Sequence, residues 1–235
     1  MAARRDKGNP VSTLSLIIPT LNAAAVLSDL LAALRADGFA GEIIVADGGS
    51  TDETATLATR HGARVIASPP GRGTQLCAGA AAAQGAWLLF LHADCRLQAG
   101  WRTAVAAFTA DPMNQMRAGY FALRFDDESP AATRIARLAN WRSRTLGLPY
   151  GDQGLLITRD FYQALGGYAD IPLMEDVDLV RRIGKARLAP LPGEIVTSAA
   201  KYRRDGYLLR PVRNLACLGL YFAGVSPHHL QGLYR

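Results

Sequence analysis

Through its first hundred residues the chain alternates short apolar runs with amphipathic ones, and this alternation constrains the fold more than any other feature. Leu14-Ser15-Leu16-Ile17-Ile18 reads as a buried strand stopped by Pro19. Residues 23–36 then carry Val26, Leu27, Leu30, Leu31 and Leu34 at helical spacing until Gly38. Further strands are expected at 42–46, 64–67 and 87–91, with helices at 52–61 and 73–84 between them. Strand and helix in regular succession imply a parallel sheet with helices on both faces. Ligands of such sheets sit outside the carboxyl ends of the strands. Four polar clusters fall there, at residues 19–22, 47–52, 69–75 and 92–94, and are expected to line one crevice.

The pattern changes after a helix expected at 98–110. A strand is expected at 116–125. Residues 130–146 set Ile135, Leu138, Ala139, Trp141 and Leu146 beside Arg134, Arg137, Arg142 and Arg144, a basic amphipathic helix. A loop at 149–154 leads to a short strand at 155–157 and helices at 160–165 and 174–183. Two strand-like pieces, 187–191 and 194–198, come last. The body is expected to span 1–205, in halves of about 13–98 and 99–205, with a helical tail at 206–235.

With 49% hydrophobic and 20% charged residues the chain can bury a core, which excludes a disordered or fibrous protein. The net charge of +6 is concentrated late: from Lys201 onward six basic residues oppose one acid, Asp205. There Leu208, Val212, Leu215, Ala216, Gly219 and Phe222 share helical spacing, with Arg210 and Arg213 on other sides. Packing of that stripe on the body or in a homodimer is expected ahead of peripheral contact with an anionic membrane. The basic residues lie on helices and the tail without aromatic interleaving on strands, so nucleic acid is not an expected partner. No apolar run approaches the ~20 residues of a spanning helix. The three cysteines lack metal-type spacing, and no leader is expected ahead of Pro10. A cytoplasmic protein is expected, or one peripheral to the inner membrane.

Among the rim residues, Asp47 ends a strand and Gly48-Gly49-Ser50-Thr51-Asp52 turns into a helix. Asp47 is read as a ligand of base or ribose ahead of an Asx turn, and Asp52 as mostly a helix cap. Gly71-Arg72-Gly73 opens a helix and lacks the third glycine of a dinucleotide fingerprint, which leaves an arginine beside a helix N-terminus. His92-Ala93-Asp94 delivers an acid to the sheet rim, where a hard divalent cation is commonly held between a carboxylate and a diphosphate. Glu175-Asp176-Val177-Asp178 crowds carboxylates at a helix start, which raises their pKa values and suits a general base. Asp176 and Asp178, two apart on a helix, cannot face one site.

In order and spacing, Ile17-Ile18-Pro19-Thr20-Leu21-Asn22, residues 42–52, Gly71-Arg72-Gly73, residues 89–94 and residues 174–179 resemble a family 2 glycosyltransferase with the GT-A nucleotide-sugar fold. Tyr150-Gly151-Asp152-Gln153-Gly154 and Gly224-Val225-Ser226-Pro227 resemble, more narrowly, a bacterial subgroup associated with radical-enzyme (radical-SAM) and arsenosugar pathways. The resemblance implies an α/β GT-A fold, a Rossmann-like, mostly parallel sheet flanked by helices, and transfer of a sugar from a nucleotide-diphosphate sugar to a small-molecule or lipid-linked acceptor. It implies that Pro19, Thr20, Asn22 and Gly48 border the nucleotide, Asp47 holds the base and Arg72 meets the diphosphate. The family's Asp-x-Asp metal motif reads His92-Ala93-Asp94 here, so Asp94 would hold Mg²⁺ or Mn²⁺, and His92, standing where the family's first acid meets the ribose, would with Ala93 and Asp94 line the nucleotide-sugar site. Asp176 matches the base of the inverting members, with Glu175 its neighbour, and Tyr150 and Asp152 are candidate acceptor contacts. His228 and His229 are read as a surface pair ahead of metal ligands. A sugar-phosphate nucleotidyltransferase is the rival enzyme class. Its glycine-rich loop would stand where Pro19-Thr20-Leu21-Asn22 does. A non-catalytic nucleotide-binding protein would not need Glu175-Asp176.

Overall fold

The structure, a computed structural model, describes residues 14–234, so the expectation of a leader-free start lies outside the described residues. The first half follows the expected alternation: β1 (Leu14–Thr20), α1 (Ala24–Ala36), β2 (Glu42–Asp47), α2 (Thr54–Arg60), β3 (Arg64–Ala67), α3 (Arg72–Ala82) and β4 (Trp87–Phe90). β1 pairs in parallel with both β2 and β4, and β2 with β3. Their carboxyl ends therefore open on one edge. β1 is buried on both faces apart from Pro19, as a central parallel strand must be. Its residues alternate between two cores: Leu16 and Ile18 meet Leu27, Leu30 and Leu31 of α1, while Ile17 meets Leu76 and Ala80 of α3. The approach of α3 depends on Gly79, where a Cβ would lie 2.5 Å from Ile17 Cγ2.

The second half comprises β5 (Cys95–Leu97), α4 (Trp101–Ala110), β6 (Ala118–Phe125), α5 (Pro130–Leu146), β7 (Leu155–Thr158), α6 (Arg159–Ala164), α7 (Glu175–Ile183), β8 (Leu188–Thr197), α8 (Ala200–Asp205), α9 (Leu209–Phe222) and α10 (Pro227–Tyr234). All described strands join one mixed sheet in the order β3-β2-β1-β4-β7-β6-β8-β5. β7 runs antiparallel to β4 and β6, β8 parallel to β6, and β5 antiparallel to β8. The expected helix from residue 98 starts instead at Trp101, after Gly100 at φ +88°, because residues 95–97 are taken up by β5. The two expected strand pieces of the last third are one strand, β8, whose pairing with β6 is irregular between Tyr120 and Ala122.

Two helices present a different face to the body than their periodicity suggests. α5 packs inward through Ala132, Ala136, Ala139 and Ser143, and leaves Leu138, Trp141 and Leu146 about half exposed. Small residues let it sit close to β6, where the Asn140 side chain accepts from Leu123 N at 2.8 Å and donates to Leu123 O at 2.9 Å. In the tail the expected packing of the apolar stripe on the body is overturned. Leu208 is 82%, Val212 64% and Leu215 55% exposed, whereas Arg210 is buried with Cys217 and Leu218. Burial of Arg210 is compensated by Asp205, whose carboxylate accepts from Arg210 Nη1 at 2.8 Å and from Arg213 Nη2 at 2.9 Å. No described helix is long and apolar enough to cross a membrane.

Candidate active site

The edge formed by the ends of β1, β2 and β4 carries two linked groups of residues. At the β1–β2 corner, Asp47 is buried and fully engaged. Its Oδ1 accepts from Thr20 Oγ1 at 3.0 Å and Ser50 Oγ at 2.5 Å, and its Oδ2 from Ser50 N at 2.8 Å and Gly49 N at 3.2 Å. Burial raises the Asp47 pKa, but the bonds from Ser50, Thr20 and Gly49 outweigh it and hold the carboxyl below its ordinary value. The Asx turn is therefore made, and it uses all four acceptor positions of this side chain. Asn22, at φ +50°, receives Thr51 N on its side-chain oxygen at 2.8 Å and donates its own N–H to Ser50 Oγ at 2.8 Å. Asp52 joins the loops as a cap: it accepts from Thr54 N at 3.0 Å and Ala24 N at 3.1 Å. Gln75, to which the sequence reading gave no role, donates to Thr20 O at 2.5 Å and Ala46 O at 3.0 Å, clamping the two strand ends. Gly48 lies against it, since a Cβ there would be 3.0 Å from the Gln75 amide.

The second group lines a cavity of about 320 Å³. Arg72, His92, Asp94, Tyr150, Asp152, Glu175 and Asp176 all contribute to its wall. Pro19, Thr20, Asn22, Asp47, Gly48 and Ala93 do not line it, although they belong to the same sheet edge. α3 begins at Arg72, and Gly73 packs so closely that a Cβ would lie 2.3 Å from Ala169 O. Met174 adopts φ +67°, an uncommon conformation for a side chain of its size, immediately before α7. That turn puts Glu175 and Asp176 at the helix start, where the macrodipole favours acids. Asp178 points elsewhere, to Arg182 four residues on, so the divergence expected of the two aspartates is found.

Asp176 is oriented by two backbone donors, Gly151 N to Oδ2 at 2.8 Å and Val177 N to Oδ1 at 2.7 Å. Its neighbour Glu175 is 2% exposed and lies 3.5 Å from Arg72 Nη1. Burial, with the adjacent Asp176 charge, pushes the Glu175 carboxyl up to about 7 against the opposing pull of Arg72. Burial also pushes Asp152 up to about 6; Arg142 opposes this while Asp176 and Asp94 add to it. Burial and the cations Arg72 and Lys201 hold His92 well below the usual imidazole range, so it is neutral at pH 7. The Arg142 guanidinium covers the Tyr150 ring at 3.3 Å from its centroid. His228 and His229 are exposed on α10 and do not line the cavity. Lys201, Arg210, Leu215 and Leu218, none of them a candidate from sequence, do line it.

The sequence profile described as Glycosyl transferase family 2 matches residues 15–163, more than half of the chain. The chain belongs to this family. An uncharacterized glycosyltransferase from Mycobacterium bovis is 40% identical over 87 residues, 37% of this chain and 38% of that protein, so the match spans well under half of the curated relative. A crystal structure of glucosyl-3-phosphoglycerate synthase from Mycobacterium tuberculosis, in complex with Mn²⁺, UDP and glucosyl-3-phosphoglycerate, superposes with a TM-score of 0.56 at 20% identity. It covers 84% of this chain and 77% of that one. S. aureus TarS, residues 1–349, superposes at 0.64 and 16% identity over 94% of this chain and 69% of that one. These likenesses establish the GT-A fold.

A family 2 member of this fold invites a test of whether its cavity suits a divalent cation. Among the described residues, Asp152 Oδ1 is buried without a hydrogen-bond partner. With the Asp94 carboxylate on the same wall, the donor set consists of oxygens, which suits a hard cation. Among the described residues no group of three or more His, Cys, Asp or Glu side chains forms a cage. Such an ion would take its remaining ligands from a phosphate-bearing substrate and water. The residues fit.

Proposed function

We propose that this chain transfers a glycosyl group from a nucleotide-diphosphate sugar to an acceptor hydroxyl, with inversion at the anomeric carbon. The observation that carries the reading is the meeting of Arg72, Asp94, Glu175 and Asp176 on one cavity wall at the carboxyl edge of the parallel strands. Asp176 removes the acceptor proton as the acceptor oxygen bonds to the anomeric carbon from the face opposite the diphosphate. The bond from that carbon to the diphosphate oxygen breaks, and its electron pair leaves with the nucleotide. The N–H groups of Gly151 and Val177 hold Asp176 in position without reorganisation during the step. Arg72 faces the departing charge, and Glu175 fixes Arg72. Asp94 and Asp152 would hold a Mg²⁺ or Mn²⁺ ion, which when bound would supply neutralisation of the diphosphate charge.

The corner of Pro19, Thr20, Asn22, Asp47 and Gly48 borders the nucleoside in this reading. Asp47 shapes the Ser50 and Gly49 turn and meets the base only by exchanging one of its hydroxyl donors. His92, neutral, packs against the loop at Gly151 in place of an acid, since a Cβ there would be 2.7 Å from His92 Nε2. Tyr150 lines the acceptor side, while Asp152, an acceptor candidate from sequence, is given to the cation in this reading because its buried Oδ1 lacks a partner among the described residues. The 150–154 and 224–227 motifs support placing the chain in the radical-enzyme and arsenosugar subgroup; the reading further takes the chain as cytoplasmic or peripheral to the inner membrane, with a body of 1–205 and a tail of 206–235.

Asp176→Asn tests the base. Turnover is expected to fall roughly 10²–10⁴-fold while nucleotide-sugar affinity by calorimetry changes little; near-normal turnover would remove Asp176 from this role. A thermal-shift panel of UDP, GDP, CDP and dTDP sugars with and without Mn²⁺ tests the donor. One nucleotide should stabilise the protein only with metal, and Asp94→Ala should abolish that dependence. A metal-independent response in both proteins would count against Asp94.

A further inference from the structure

We infer that the apolar wall of the cavity binds the hydrocarbon tail of an acceptor lipid taken from an anionic bilayer, whose hydroxyl is presented to Asp176. The inference rests on the glycosyl-transfer reading above and names the acceptor class for that same site. The cavity is chemically two-sided. One part of its lining is the charged group around Asp94 and Asp176, while α5 contributes Ile135, Leu138 and Leu146 and α9 contributes Leu215 and Leu218. On α5 the lining positions 135, 138, 142 and 146 recur at three- and four-residue spacing and so form one face, and 211, 214, 215 and 218 do the same on α9. The cavity is therefore lined by one face of each of two helices and by the proposed base. A small polar acceptor would leave Leu138, Leu146 and Leu215, each about half exposed, in water.

The cavity continues into an apolar rim. Trp141 is 53% exposed, and the outer stripe of α9 exposes Leu208, Val212 and Phe222. Apart from Arg181, whose guanidinium lies 4.9 Å from the Phe222 ring centroid, no described part of the chain covers these residues. The charges around them complement an anionic surface. Arg134 and Arg137 lie four residues before Leu138 and Trp141, Arg144 lies three after Trp141, and all three arginines are exposed. Their aliphatic stems can lie along the apolar rim with the charged heads at lipid phosphates. A rim of this kind lies in the interface plane, since no described helix is long and apolar enough to span.

The test uses the full chain and two probes. Alkyl β-glucosides of four to eight carbons, kept below micelle formation, are titrated against tryptophan emission. Trp87 and Trp101 are buried, so Trp141 is the environment-sensitive reporter, and Trp141→Phe supplies the blank. Affinity is expected to rise roughly two- to fourfold per methylene, and Leu138→Glu and Leu215→Glu to flatten that slope. Both positions are half exposed, and the slope in the unaltered protein decides the matter even if a variant folds poorly. Vesicles of phosphatidylglycerol should sediment the protein at low salt, and vesicles of phosphatidylcholine much less. Chain-length-independent binding, binding of 3-phosphoglycerate in place of the glucosides, or a dimer that Leu215→Glu dissociates would each overturn the inference. The UDP, GDP, CDP and dTDP sugars with Mn²⁺ are titrated on the same samples. Absence of a response to all four defeats the glycosyl-transfer reading, whereas a response to one of them beside a flat chain-length series defeats only the lipid acceptor.

Discussion

The carboxyl of Glu175 shows what burial does to an acid that helps form a charged site. Its ordinary value is 4.5 and in the fold it is pushed up to about 7, so between those values the folded chain holds a proton that the unfolded chain has lost. Stability therefore falls as pH rises across that window, by an amount on the order of 3 kcal/mol for the full shift. Glu175→Gln removes the titration. Its melting temperature should approach or exceed that of the parent at pH 8, and the relative gain should vanish by pH 5. Parallel melting curves for the two proteins from pH 5 to 8 would refute this assignment. Asp127 works in the opposite sense. The Tyr207 hydroxyl, helped by Ser129, holds it down to about 2, so its contribution is lost only on acidification below about pH 4. The two effects occupy separate pH ranges and can be measured separately.

Single elements depend on buried polar side chains that sequence patterns do not advertise. Gln153 is fully buried; its Oε1 accepts from Ser143 Oγ at 2.5 Å and its Nε2 donates to Phe121 O at 3.0 Å, fastening the loop that carries Tyr150 and Asp152 to α5 and β6. Gln153→Ala should cost about 2–4 kcal/mol in urea denaturation by leaving those groups unpaired. Gln153→Glu should cost more, because an acceptor would face the Phe121 carbonyl. A loss under ~1 kcal/mol would mean that water replaces the amide. Neither Gln153 nor Gln75 is legible in the sequence as a clamp, since each acts on carbonyls far away in the chain. The strands β1, β2 and β4 were legible because a strand buried on both faces is a continuous apolar run, and the rim clusters followed from topology. β5 is too short to show a period, and Pro190, Pro192 and Gly193 made β8 look like two pieces. Periodicity located the apolar faces of α5 and α9 without revealing that Ala132, Ala136, Ala139 and the paired Arg210 would be the inner ones.

For the whole molecule, the open question is whether the tail unfolds with the body. The boundary at 205 and 206 follows sequence composition, and Gly206 does end α8. Yet Cys217, Leu218 and Leu230 share a core cluster with Val177, Leu179 and Ile183 of α7, the helix that carries Asp176. Arg210 and Leu215 furthermore form part of the cavity wall. A tail packed in this way should lose its structure together with the site. Leu230 is fully buried on α10, so Leu230→Ala should destabilise the protein by about 2–4 kcal/mol. At roughly 2–4 °C per kcal/mol for a chain of this size, the main calorimetric transition should move down by about 5–15 °C as a single peak. A main peak that stays in place while a small early transition separates from it would identify residues 206–235 as an independently melting appendage. The cavity would then be closed by a segment able to leave while the sheet stays folded.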